Sequence, residues 1–479
     1  MLAEAVGLEG LSVRLRGTLI EPGEPRYDEA RKVYNGMIDR RPAAIARCAD
    51  VADVIACVEF ARSAGMALAI LGGGHNAGGL GVCDDGLVID LSPMRGIRVD
   101  PQARTVRVEG GCTWGDVDHA THAFGLATPS GIISTTGVGG LTLGGGMGHL
   151  TRKFGLTIDN LLEADVVLAD GRLVTASETE NADLFWALRG GGGNFGVVTS
   201  FLLRLHPLST VIAGPTLWDI DRASEVMRWY REFLPAAPDD LNGFFAFLVV
   251  PPAPPFPEEL QLRSMCGVVW CYTGPPERAE QDLEPIRQMG PVLYGLQEMP
   301  YPMLQGAFDA LYPKGLHWYW KADFVSELTD EAIDLHVQHG MQLPTMHSTM
   351  HLYPVDGAAG RVAPAATAFS YRDAQWSEVI VGVDPDPAKA ELLREWAVGY
   401  WNALHPYSLP GAYVNFMMHD EGQQRIEATY RDNYRRLVQI KDHYDPANLF
   451  RANQNIRPSG LGDLQPEVAE MPPKEIPGK

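Results

Sequence analysis

Three glycine clusters in the first 200 residues constrain this chain more than any other feature. Residues 72–74 are all glycine, residues 131–148 hold eight glycines, and residues 190–193 are four more, followed by Asn194, Phe195 and Gly196. Glycine loses more backbone freedom on folding than any other residue, so such density fits places where the main chain must approach something closely. N–H groups in loops of this kind can surround phosphates without a cationic side chain. None of the clusters fits GxxxxGK[ST], which argues against a P-loop nucleotide hydrolase. Nor does any read as a Rossmann GxGxxG, because strands rather than helices are predicted after the first and last.

The flanking pattern mixes helices and strands. A helix is predicted around Asp28–Met37, inside an otherwise irregular lead-in, and a second where Val54, Ile55, Val58 and Ala61 recur at helical spacing. Met66–Leu71, Gly86–Leu91 and Arg104–Glu109 read as strands. Thr113 reads as the cap of a helix over Trp114–Phe124. Glu163–Ser177 reads as a hairpin turning at Asp170-Gly171, Ala182–Leu188 as a helix, and Val197–Leu205 as a strand. Composition changes near Pro207, and the middle of the chain carries Trp218, Trp270, Trp318, Trp320, Trp376 and Trp401. Pro251–Pro257 is a rigid loop, Arg425–Tyr444 has helical periodicity, and Glu467–Lys479 is Pro-rich and loose. These readings predict an α+β protein with a lead-in (1–39), a first domain (40–207), a second (208–424), a segment returning to the first (425–460) and a tail (461–479).

Charge and cysteine content narrow the partners. A formal charge of −21 over 479 residues disfavours nucleic acid and anionic membrane surfaces. No window approaches 18 consecutive apolar residues, and the N-terminus lacks a secretory pattern. The expectation is a cytoplasmic protein, bacterial by composition, monomeric or homodimeric. The six cysteines show no metal-ligand spacing and no disulfide framework, so reduced thiols and no metal site are expected.

Taken in order, the motifs are specific. They run Gly72-Gly73-Gly74-His75-Asn76, Asp90-Leu91-Ser92, Gly110-Gly111-Cys112-Thr113-Trp114-Gly115, Gly137-Val138-Gly139-Gly140 and Gly144-Gly145-Gly146-Met147-Gly148. Lys153–Asn160, Arg189–Gly196, Tyr413-Val414-Asn415-Phe416 and Asp445–Arg451 follow, with Asn453–Ile456 behind them. This series resembles the berberine bridge enzyme-like family of the vanillyl-alcohol oxidase flavoprotein superfamily, over about residues 40–460. The resemblance implies a two-part FAD-binding domain of the PCMH type, and a substrate domain whose antiparallel sheet is flanked by helices. It further implies FAD bonded through His75 to the flavin 8α carbon and through Cys112 to C6. A tether cannot dissociate, and two links raise the flavin's potential while the protein tunes it. The resemblance places further cofactor contacts at Gly72, Gly73, Gly74, Asn76, Gly78 and Thr135, and at Gly137, Val138, Gly139, Gly140, Gly144, Gly145 and Gly148. It adds Asp159, Asn160, Gly193, Asn194, Gly196, Val197, Val198, Asn415, Asn453 and Asn455. Relatives often carry Arg before GGGH; here that residue is Leu71.

On the substrate side, the resemblance implies oxidation of an alcohol, a sugar hydroxyl or one on a secondary metabolite, with oxygen reduced to peroxide. The plant-type glutamate base has no counterpart, since Arg361–Arg372 contains no acidic residue. Tyr413 is the candidate base, and needs a cationic or hydrogen-bonding neighbour to work near neutrality. Asn415 is expected on the same strand face, and His351 and Tyr353 share a face of another strand. Lys321 reads equally as a salt-bridge residue. Val138 is expected to govern oxygen access. The rivals are a dehydrogenase using another acceptor, an amine oxidase, and a binding protein on an inactive flavin fold.

Overall fold

In the computed structural model, which describes residues 7–461, three sheets carry the fold. The first has Thr18–Ile20, Ala44–Arg47, Leu87–Asp90 and Leu68–Leu71 side by side. Leu87–Asp90 pairs parallel with both Ala44–Arg47 and Leu68–Leu71, and the helix Val51–Ala64 makes the crossover between those two. That helix starts where Asp50 accepts the N–H groups of Ala52 and Asp53, and stops at Gly65, φ 61°. The three parallel strands are short apolar runs, as strands covered on both faces require.

The second sheet is antiparallel and runs Ile97–Asp100, Thr105–Glu109, Val197–Arg204, Leu161–Val167, Leu173–Ser177. The hairpin turns at Gly171, φ 89°.

The third sheet is the largest. Its order is Leu293–Tyr294, Thr210–Asp219, Ser264–Tyr272, Leu241–Val249, Thr349–Pro354, Trp376–Asp384, His317–Val325, and Gln297–Pro300 also pairs with Thr210–Asp219. Helices Ala223–Ala236, Asp330–Gly340 and Ala390–Leu404 cover one face, where Tyr230, Ile333 and Tyr400 pack with Trp270 and Ile380. The other face turns Phe244, Tyr353, Val379 and Val381 into the core that also contains the second sheet. The chain is thus an α+β protein with an antiparallel sheet flanked by helices.

Four local expectations are corrected. The lead-in is not irregular: it holds a helix Leu8–Ser12, Thr18–Ile20 pairs antiparallel with Ala44–Arg47, and the helix expected over Asp28–Met37 is only Tyr27–Ala30. Arg425–Tyr444 is two helices, Gln423–Tyr430 and Asn433–Tyr444, broken at Arg431 (φ 47°), a backbone conformation that interrupts the helical ladder. The residues around Tyr413 form no strand but a 3₁₀ turn, Val414–Phe416. A short helix, Val138–Gly144, lies within the second glycine cluster. The tail expected to be loose, Glu467–Lys479, lies outside the described residues.

Candidate active site

A cavity of about 350 Å³ lies between the glycine loops and the open face of the third sheet. Main chain forms one wall, at 72–74, 137–140 and 192–196; side chains of Trp318, Trp320, His351, Tyr353, Val379 and Val381 form the other. Tyr413, Asn415 and Asn453 complete it.

The loops touch backbone to backbone. A Cβ on Gly73 would sit 2.3 Å from the Gly137 nitrogen, and one on Gly137 equally close to the Gly73 nitrogen. Gly140 and Gly193 have nothing within 4 Å of that position and present open backbone. Gly144 and Gly145, later in the second cluster, face side chains instead, and Gly148 again faces main chain. At Gly144 a Cβ would fall 2.1 Å from Asn415 Oδ1, at Gly145 3.1 Å from the Tyr413 ring, and at Gly148 2.3 Å from the Ser130 carbonyl oxygen.

His75 follows strand Leu68–Leu71 and lines the cavity. Its ring stacks on Tyr34, with centroids 3.9 Å apart at 19°. Thr135 Oγ1 lies 3.0 Å from Nε2 and Thr136 Oγ1 3.4 Å from Nδ1. Burial among these groups pushes the imidazole down to about 4, so it is neutral at physiological pH. Cys112 is buried one layer behind: it is not among the lining residues, though Gly110 and Gly137 are. Its thiol faces the Gly96 carbonyl at 3.8 Å, and burial pushes it up to about 12. All six cysteines are free.

Tyr413 and Asn415 meet although they share no strand. The Tyr413 hydroxyl oxygen accepts the Gly146 N–H at 2.8 Å and the Asn415 amide at 2.7 Å, while that amide also donates to the Leu141 carbonyl. These donors hold the phenol down, but burial outweighs them and leaves it at about 12. The help the phenol receives comes from hydrogen bonds, not from a cation. On strand Thr349–Pro354 the expected pairing of His351 and Tyr353 is present: Nδ1 lies 2.8 Å from the Tyr353 hydroxyl. Burial pushes His351 down to about 3 and raises Tyr353.

Gly72, Gly74, Asn76, Gly139, Asn194, Gly196 and Val198 also line the cavity. Gly78, Thr135, Val138, Gly144, Gly145, Gly148, Val197, Asp159, Asn160 and Asn455 do not. Gly78 packs on the His419 main chain; Val138 and Val197 point into the core. Asp159 holds Arg372 through two bonds of 2.7 and 2.8 Å. Asn160 donates to the Phe154 and Leu156 carbonyls and meets His206 at 2.6 Å. That motif is structural because its polar atoms are already taken by protein partners. Lys321 is likewise an ion-pair residue, 2.9 Å from Glu421 and 3.5 Å from Asp420.

Several residues escaped the sequence reading. Asn35 bridges from the lead-in to the Ala77 and Trp318 carbonyls and accepts the Trp318 N–H. Lys441 and Asp445 form a fully buried ion pair at 2.7 Å. The ammonium also donates to the Asn194 and Phe450 carbonyls, and the carboxylate accepts the N–H groups of Leu449 and Phe450. The i,i+4 spacing of Lys441 and Asp445 was the available signal. Among the described residues no cluster of ligating side chains could hold a metal, and no helix is long and apolar enough to cross a membrane.

The chain is similar to known proteins over most of its length. Residues 42–177 match a family model described as FAD binding domain, and 412–457 one described as berberine and berberine like. An FAD-linked oxidoreductase of Dictyostelium discoideum is 31% identical, covering 93% of this chain and 95% of its own. A xylooligosaccharide oxidase of Thermothelomyces thermophilus is 29% identical over 89% of each chain. The crystal structure of 6-hydroxy-D-nicotine oxidase from Arthrobacter nicotinovorans superposes with TM-score 0.82 at 26% identity, covering 92% of this chain and 98% of that one.

Proposed function

Because the chain belongs to the FAD-linked oxidoreductases of the berberine bridge enzyme-like family, we propose that it is an oxidase with covalently held FAD that oxidises an alcohol and delivers the electrons to oxygen. The residues fit that cofactor. Open backbone at Gly140 and Gly193 suits close approach of a ligand, and the buried Asn453 Oδ1, on the cavity wall, has no protein partner. Glycine loops 72–74, 137–140 and 192–196 would hold it, and the chain segments 40–207 and 425–460 would form its domain, with 208–424 as the substrate domain. When bound, FAD supplies hydride acceptance and electron transfer to oxygen.

The observation that carries the proposal is the Tyr413 hydroxyl, buried on the cavity wall with two donors aimed at its oxygen. Deprotonated, this group would take the substrate's hydroxyl proton as a hydride leaves the carbinol carbon, and the Gly146 and Asn415 N–H groups stabilise the phenolate that acts as the base. His351 and Tyr353 extend the polar line across the sheet wall and orient the substrate. His75 presents a neutral ring nitrogen to the cavity, as bond formation to the cofactor requires. The same role for Cys112 needs its thiol to turn from the Gly96 carbonyl toward Gly110.

The substrate wall is aromatic and aliphatic and carries no Asp, Glu, Lys or Arg. That favours an uncharged, ring-bearing alcohol or sugar. The same wall supports a second reading, oxidation of a neutral cyclic amine, in line with the nicotine oxidase likeness.

Acid precipitation of the protein and of His75→Ala, Cys112→Ala and the double variant tests attachment. The expected result is a yellow pellet for the wild type and a colourless one for the double variant. A panel of sugars, alcohols and cyclic amines with peroxide detection tests the reaction. Flavin left in the wild-type supernatant would sink covalent attachment, and turnover without peroxide would move the assignment to a dehydrogenase.

A further inference from the structure

His75 is held on three sides, and two of the three holders lie in segments far apart in sequence. Tyr34 comes from the lead-in and covers one face of the imidazole. It is itself clamped: its N–H donates to the Gly74 carbonyl at 3.0 Å, its carbonyl accepts the Gly315 N–H at 2.9 Å, and its hydroxyl donates to the Tyr312 carbonyl. Trp318 backs the ring at 5.4 Å. Thr135 meets the ring through its hydroxyl, 3.0 Å from Nε2. Thr136 is the more distant partner, 3.4 Å from Nδ1.

These contacts divide the two nitrogens. A hydroxyl can accept as well as donate, so the shorter of the two contacts lets Thr135 Oγ1 take the proton of an Nε2–H tautomer. Nδ1 keeps its lone pair, with only one long contact to displace. The stack fixes the ring plane, so that lone pair is not averaged over rotamers.

We propose that Tyr34 and Thr135 are positioning residues for covalent attachment: Tyr34 fixes the plane of His75 and Thr135 holds the proton on Nε2, leaving Nδ1 to bond the flavin. This rests on the covalent reading above. In the step one 8α C–H bond breaks and one Nδ1–C bond forms. Two protons leave, one from the 8α carbon and one from Nε2 toward Thr135. The two electrons reduce the flavin ring, and dioxygen removes them with two protons as hydrogen peroxide.

The test uses full-length protein in a Cys112→Ala background, as purified and then incubated with added FAD. The readouts are flavin retained through acid precipitation against time, and the flavinylated peptide by mass spectrometry. Tyr34→Phe keeps the ring and should attach at the parent rate. Tyr34→Leu and Thr135→Val should attach at least tenfold more slowly when FAD is added in excess of each variant's own dissociation constant, read beforehand by flavin fluorescence quenching. Equal rates for all variants, or a Tyr34→Phe as slow as Tyr34→Leu, would overturn the proposal and leave covalent attachment standing. A link found on Nε2 would overturn the Thr135 assignment. A parent that retains no flavin overturns both the proposal and the histidyl link, an outcome visible before any Tyr34 variant is compared.

Discussion

The two walls of the cavity are built by opposite means. The loop wall is main chain, at 72–74, 137–140 and 192–196, and its side chains are mostly hydrogen atoms. The sheet wall is all side chain, from alternate residues of strands His317–Val325, Thr349–Pro354 and Trp376–Asp384. A backbone wall cannot vary without moving the chain, so it suits a fixed ligand. A side-chain wall can be refitted residue by residue on a constant scaffold, so it suits the part of the ligand that differs between relatives. Tyr413 and Asn415 stand where the walls meet, on a turn seated in the room left by Gly144 and Gly145.

The largest effect should appear at that junction. Tyr413→Phe keeps the ring against Phe369 and Phe416 and removes only the hydroxyl. Its kcat should fall by about 10²–10⁴-fold, the range for loss of a positioned acid or base, with flavin content unchanged. With the phenol at about 12, the wild-type rate should climb with pH through the alkaline range, and the variant should lose that climb. A variant that retains the rate would move the base to the His351–Tyr353 pair, and so to the sheet wall.

Next in size is the support behind the loop wall. Lys441→Met would leave Asp445 charged and unpaired at zero exposure. Removing one partner of a buried pair costs about 3–5 kcal/mol. The variant should melt far below the wild type and bind FAD weakly, because Asn194 and Phe450 lose their common anchor. Adding Asp445→Asn should recover part of the loss. If the single variant melts like the wild type, the pair does not hold that wall.

The two walls also differ in how far the sequence revealed them. The loop wall was legible as motifs, because only glycine tolerates contacts such as Gly73 on Gly137. The sheet wall was legible only as alternation: Thr349–Tyr353 put His351 and Tyr353 on one face, but nothing local told which face met the cavity. Tyr34 and Asn35 were invisible, since their roles come from contacts with residues about 40 and 280 positions away. Asp159 and Asn160 misled for the converse reason. They sit in a motif of the family, yet their polar atoms are satisfied by Arg372, His206 and main chain. The second glycine cluster was read as a single ligand loop, whereas Gly144, Gly145 and Gly146 make room for Asn415, Tyr413 and Thr157.

That division within one cluster gives a sharper contrast. Gly73→Ala sets a methyl 2.3 Å from the Gly137 nitrogen, where backbone faces backbone and no side chain can yield. It should abolish flavin retention. Gly140→Ala meets nothing within 4 Å, in a helix that accepts alanine, and should leave the apoprotein's melting temperature within about a degree while weakening FAD through contact with the ligand itself. Thermal melts with and without added FAD separate the two. Equal retention in both would show that the loop contact gives way at little cost.

The smallest effect concerns acid. His149, His336 and His351 are each buried without charge and pushed down to about 3. In the unfolded chain they take up protons as pH falls through about 6.5, whereas in the fold they do not until about 3. The unfolded state therefore binds more protons across that window. Their contribution to stability is complete above about 6.5 and is lost progressively as pH falls below it, at about 1.4 kcal/mol per pH unit for each histidine. Melting temperature should be flat from pH 7 to 8 on this account and drop between pH 6 and 4. His351→Phe removes one of the three, and only this one lies on the sheet wall, so its acid slope should be shallower by about one proton. An unchanged slope would mean that His351 accepts a proton within the fold, with Tyr353 as its partner, and the sheet wall would then present a cation to the substrate in acid instead of a neutral acceptor.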